Sequence, residues 1–111
     1  MVLTRAFQET VRERAQTDPA YRIAMLSEAA EELLAGQAAS ARSILRSYIN
    51  ATLGFETLAA ETGIAVKSLH RMFSARGNPT LSNLTRVLQT LEAHEGVSLE
   101  VTARPSTKLL V

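Results

Sequence analysis

The sequence predicts an all-α fold that ends in one short C-terminal strand, and three observations carry that expectation. Apolar residues recur at helical intervals through most of the chain. Helix start and stop signals stand between these runs, at Thr17-Asp18-Pro19, Gly36, Gly54, Gly63 and Gly77-Asn78-Pro79-Thr80. From Val97 the pattern changes to strict alternation, with Val97, Leu99, Val101 and Ala103 set between Ser98, Glu100, Thr102 and Arg104. Alternation of that kind suits a strand.

Taken in order, Thr4 is placed to cap a first helix reaching about Gln16, on which Leu3, Phe7 and Val11 form a narrow apolar stripe. Asp18 can cap the next helix and Pro19 suits its first position, where the missing N–H costs nothing. That second helix, to about Ala35, is expected to bury Ile23, Leu26, Ala30, Leu33 and Leu34, and Glu28, Glu31 and Glu32 make its outside acidic. The acidic cluster reads first as a solvated face and second as a contact for a basic protein. A third helix from Gln37 to about Leu53 turns Ala41, Ile44, Leu45, Tyr48 and Ile49 inward. Arg42 and Arg46 face out, toward either phosphates or solvent. The last helix runs from Leu81 to about His94 behind a Thr80 cap, burying Leu84, Val87, Leu88 and Leu91. The lone strand, ended by Pro105, has no partner in its own chain and an unpaired strand leaves backbone groups unsatisfied. Pairing with the same strand of a second copy would give a homodimer, and residues 105–111 read as a tail.

Composition sets the outer bounds. A chain of 111 residues with 46% hydrophobic content has enough for one core, and the formal net charge is only +1. There is no cysteine, which excludes disulfides and thiolate chemistry. No apolar run approaches the roughly 18 residues of a membrane helix, and the start lacks a signal-peptide core, so the expected place is the cytoplasm with no membrane partner.

The informative stretch is Gly54 to Pro79, two short helices about a tight turn. Leu58 and Ala59 face inward on the first, and the small Ala59 permits a close crossing. Gly63 can take the left-handed conformation that stops this helix abruptly. Ile64, Leu69, Met72 and Phe73 then plug the second helix onto the shared core, leaving Lys67, Ser68, His70 and Arg71 outside. This is the layout of a helix-turn-helix whose second helix enters the DNA major groove. Two helices around a glycine also occur in many all-α proteins that bind no DNA. Charge discriminates. No Asp or Glu lies between Glu61 and Glu92, an interval that carries Lys67, His70, Arg71, Arg76 and Arg86. Local sign matters more than net charge for approach to a phosphate backbone. Within the loop, Ser74, Arg76 and Asn78 stand where phosphate contacts would orient the protein. The candidate DNA-binding set is therefore Val66, Lys67, Ser68, His70, Arg71, Ser74, Arg76 and Asn78.

Catalysis has little support. His70 and His94 have no metal-ligand companions at useful spacing, and His94-Glu95 lacks the second histidine of a zinc-protease helix. Ser68 and His70 point to different sides of one helix. No phosphate-binding glycine loop is present. No enzyme activity, cofactor or metal is expected.

The residues LAAETGI at 58–64, SLHRMFS at 68–74, GNPT at 77–80 and the helix at 83–92 resemble the Xre-type, phage-repressor-like helix-turn-helix family. More narrowly they resemble addiction-module antidotes, the antitoxins of toxin–antitoxin operons. The resemblance implies a lambda-repressor-like bundle, dimerisation and repression of its own operon. It also implies that Val66, Lys67, His70 and Arg71 meet base edges, Val66 through an apolar contact such as a thymine methyl. The expected organisation is an N-terminal helical appendage at 1–36, a DNA-binding domain at 37–96, a dimerisation strand at 97–104 and the tail. The expected function is a sequence-specific regulator, an antitoxin-type autorepressor whose residues 1–36 would hold a small toxin protein. The alternatives are an interaction module that neutralises a partner with little DNA binding, and a stand-alone phage-type repressor.

Overall fold

Capping chemistry and buried small residues fix the helices of this chain. The structure is a computed structural model, and it describes residues 5–107. Thr4, Leu3 and residues 108–111 lie outside the described residues, and with them the expected first cap, part of the first apolar stripe and the end of the tail. Among the described residues six helices follow one another: α1 (Arg5–Thr17), α2 (Pro19–Leu34), α3 (Ala38–Ala51), α4 (Gly54–Thr62), α5 (Val66–Met72) and α6 (Leu81–Glu95). The chain is all-α, and no helix among the described residues is long and apolar enough to cross a membrane.

Local signals act where expected. The Asp18 carboxylate accepts from the Tyr21 N–H at 3.2 Å, with Pro19 at the start of α2. The Thr80 hydroxyl accepts from the Asn83 N–H at 3.1 Å and opens α6. These caps satisfy amides that the first helical turn leaves without partners.

One hydrophobic cluster runs through the molecule. Ala15 of α1 and Met25, Leu26 and Ala29 of α2 meet Leu45, Tyr48 and Ile49 of α3, and the same cluster takes in Phe55, Leu58, Ile64, Leu69, Met72, Phe73, Val87 and Leu91. α1 contributes Ala15 and α2 contributes Met25, Leu26 and Ala29 to this same core.

The buried face of α2 differs from the expected one. Leu26 is buried as expected, but Ile23 is 38% exposed and Leu34 70% exposed, whereas Met25 and Ala29 are buried. Arg22 lies on the inward side because Glu95, far along the chain, receives it: the Arg22 Nε–H donates to both Glu95 carboxylate oxygens at 3.0 and 3.1 Å. Phe7 of α1 is also half exposed, and the only buried residue of α1 is the small Ala15.

The expected C-terminal strand is not formed. Among the described residues there is no strand, and 97–107 carry no regular secondary structure. Alternation there has a different cause. Val97 and Leu99 turn onto the core of their own chain, and the Leu99 N–H donates to the Glu92 carboxylate at 2.7 Å. The first two apolar residues of the segment are covered from within, while Val101 is 73% exposed. A dimer built by pairing this strand with its copy therefore falls away.

Candidate nucleic-acid interface

The pair α4–α5 is built by a turn whose polar groups satisfy one another. Gly63 ends α4 in the left-handed region at φ 75°, and its N–H donates to the Ala59 carbonyl at 2.9 Å. Thr62 is buried; its hydroxyl donates to the Leu58 carbonyl at 2.7 Å and accepts from the Ile64 N–H at 3.2 Å. From α6, a guanidinium N–H of Arg86 donates to the Thr62 carbonyl at 3.2 Å. The left-handed residue, the threonine and the arginine together end α4 and start α5 within three residues, Gly63 to Ala65.

The far end of α5 is held by α3. Arg42 donates from Nε to the Ser74 carbonyl at 3.2 Å and from Nη2 to the Ala75 carbonyl at 3.0 Å. Arg46 donates to the Phe73 carbonyl at 2.7 Å. Carbonyls at a helix C-terminus carry partial negative charge, so two guanidinium groups there are doubly favourable. The sequence left these arginines between phosphate and solvent; they clamp the end of α5 instead. The Ser74 hydroxyl, a candidate phosphate contact, donates to the Arg71 carbonyl at 2.7 Å and so also closes the helix.

Gly77 completes this corner. It is buried, and a Cβ on it would lie 2.1 Å from the Met72 carbonyl oxygen and 2.5 Å from that of Arg71. The loop therefore folds back onto the end of α5 as closely as a glycine allows.

What remains outside is cationic. Lys67, His70, Arg71, Arg76 and Asn78 are exposed, while Val66, Ser68 and Ser74 are half-buried. Lys67 and Arg71 stand one turn apart on one side of α5. Among the described residues no carboxylate forms an ion pair with Lys67, Arg71 or Arg76; the ion pairs are Arg14–Asp18, Arg22–Glu95 and His94–Glu61. His70 lies with its ring centroid 4.4 Å from that of Phe55, tilted by 31°, and Phe55 is buried at the opening of α4. Phe73 follows at 6.2 Å from the same ring. The imidazole is thus positioned by an aromatic platform while its edge stays in solvent.

An open cleft of roughly 600 Å³ lies elsewhere, beside Gln16, Arg22, Tyr48, His94 and Glu95. Its ionisable groups are spent on each other. Glu95 takes both bonds from Arg22 and a short one from the Tyr48 hydroxyl, and His94 pairs with Glu61. Burial, then the hydrogen bond and charge of Glu95, raise the Tyr48 phenol well above its usual range against the opposing effect of Arg22. A carboxylate held in this way is a structural acceptor. Among the described residues no group of three His, Asp or Glu side chains is placed to hold a metal.

Sequence reasoning missed Thr62, Gly77's packing role and the clamp by Arg42 and Arg46. Only Thr62 had a local signal, a hydroxyl directly before the turn glycine. Comparison with family models, with curated proteins and with solved structures produced no match.

Proposed function

We propose that the chain is a sequence-specific DNA-binding regulator that lays α5 in the major groove, with Lys67, His70 and Arg71 toward base edges and Arg76 and Asn78 toward phosphates. The observation that carries this reading is the exposed cationic side of α5, unpaired with any carboxylate among the described residues, on a helix whose C-terminal end Arg42 and Arg46 clamp. A guanidinium recognises guanine bidentately, and a preorganised helix lowers the cost of presenting it. The resemblance of residues 58–92 to Xre-type antidotes extends the proposal to an antitoxin-type autorepressor.

The test is selection of duplexes from a random library by the full chain, followed by binding titrations. One enriched motif is expected, and Arg71→Ala should weaken it by about 1–3 kcal/mol and relax a single base position. Absence of enrichment, or an equal small loss on selected and scrambled DNA, would refute base reading.

A second reading, a protein-interaction module, is favoured by the outer side of α2, where Glu28 and Glu31 are exposed beside the 70% exposed Leu34. A small basic toxin would suit that surface. Deleting residues 1–36 would remove core side chains, so the proper probe is Glu28→Lys with Glu31→Lys. Unchanged co-purification of the neighbouring gene product would reject this role.

A further inference from the structure

We infer that the groove between α1 and α3 is a second DNA contact, a cradle for the sugar–phosphate backbone flanking the base pairs that α5 reads. The groove is lined by Arg5, Glu9 and Arg12 from α1 and by Ser43, Arg46 and Asn50 from α3. Three guanidinium groups thus face one carboxylate, and the other groups here can donate hydrogen bonds. Phosphate oxygens accept from guanidinium, hydroxyl and amide groups alike.

Position supports the same occupant. Arg46 belongs to the groove and at the same time donates to the Phe73 carbonyl at the end of α5. Asn50 lies one turn before Gly54, where α4 begins. The groove is therefore joined through Arg46 to the end of α5, so a duplex read by α5 would bring its flanking backbone toward this cationic lining. Arg14, the remaining arginine of α1, is turned away; it pairs with Asp18 at 3.6 Å and lies 4.8 Å over the Tyr21 ring. Among the described residues Arg5 and Arg12 form no ion pair within reach, so approach by phosphate breaks none.

This inference rests on α5 facing DNA, and the experiment separates the two. Binding of the full chain to a random-sequence duplex of about 30 bp is measured between about 50 and 200 mM salt. Each phosphate contact contributes about 0.9 to the slope of log affinity against log salt. The pair Arg5→Ala and Arg12→Ala should reduce that slope by about 1.8, with unchanged thermal unfolding because both side chains are exposed. Glu9→Gln, which removes the only carboxylate lining the groove, should tighten binding several-fold and gives an opposite sign that damage to the fold would not produce. If the double variant keeps the original slope while Lys67→Ala with Arg71→Ala lowers it, the cradle is overturned and the reading of α5 stands. If the unaltered chain shows no salt-dependent binding at all, both are overturned.

Discussion

Gly77 offers the sharpest test of how the corner behind α5 is held. In Gly77→Ala the new methyl carbon meets two carbonyl oxygens at 2.1 and 2.5 Å and a carbonyl carbon at 2.6 Å. Ordinary carbon–oxygen contacts begin near 3.3 Å, so the loop must withdraw by roughly 1 Å. Every obstructing atom is backbone of a helix end that Arg46 and Ser74 already fix, so it cannot swing aside. Overpacking of this kind costs about 1–3 kcal/mol. Withdrawal also strains the Gly77 N–H bond to the Ser74 carbonyl at 2.9 Å and the Arg42 bonds to Ser74 and Ala75, each worth about 1 kcal/mol. A loss of about 3 kcal/mol is expected. For a domain of this size that lowers Tm by about 12–24 °C, at roughly 4–8 °C per kcal/mol. The control is Gly63→Ala. There the backbone is left-handed at φ 75° but no atom lies within 4 Å, so only the conformational cost of about 1–2 kcal/mol applies. Thermal unfolding followed by circular dichroism compares the two. A Gly77→Ala protein that melts within about 3 °C of the unaltered chain, or above the Gly63→Ala protein, would refute this account.

Removing both clamp arginines, Arg42→Ala with Arg46→Ala, should cost about 1–2 kcal/mol in urea unfolding, and should weaken DNA binding on selected and scrambled duplexes alike because it loosens position rather than base contact. Tyr48 sets an alkaline limit. An unfolded tyrosine ionises near pH 10, while the buried phenol stays protonated beyond that, so the folded state holds a proton the unfolded state has lost. Its contribution is full below about pH 10 and declines at up to about 1.4 kcal/mol per pH unit above it. Urea midpoints measured from pH 9 to 11 should show this fall, and Tyr48→Phe should flatten it. Asp18→Ala should cost about 1 kcal/mol by urea titration, since it leaves the Tyr21 amide without its acceptor.

Sequence disclosed those parts of the fold that are decided locally. Asp18-Pro19, Gly63 and Thr80 each act within a turn of their own position, and each does what its side chain or backbone freedom suggests. What periodicity could not settle was phase. The segment PAYRIAMLSEAAEELL has apolar residues on several sides, and helical spacing alone could not separate a buried side with Ile23 and Leu34 from one with Met25 and Ala29. Arg22 faces inward because Glu95 receives its Nε–H, and no residue near Arg22 in sequence announces that partner. The C-terminal alternation was likewise real and misread. A period of two reports an extended chain with one side covered, and does not say whether the cover is a sheet neighbour or, as with Val97 and Leu99, the body of the protein. At the candidate interface the exposure of Lys67, Arg71 and Arg76 followed from the buried positions of Leu69, Met72 and Phe73 on the same short segment.

The arginines carry the larger point about reading charge from sequence. Arg22, Arg42, Arg46 and Arg86 all give guanidinium N–H groups to carbonyls, and in each of these cases an acceptor lies at or just beyond the end of another helix. A carbonyl at a helix end is a partial anion, and it competes for a guanidinium as a phosphate would. In a sequence, Arg42 and Arg71 look alike, since both stand on the polar side of an amphipathic helix. They differ in whether a helix terminus lies within reach, and only the fold decides that. The formal net charge of +1 therefore understates the cationic side of α5, because the carboxylates that lower the total lie mostly on α1, α2 and the end of α6. It overstates the mobile positive charge near α3, where Arg42 and Arg46 are tied to carbonyls at the end of α5. The cationic residues thus divide: Arg42 and Arg46 are tied to carbonyls at the end of α5, while Lys67 and Arg71 stand exposed on α5 with no carboxylate paired to them among the described residues.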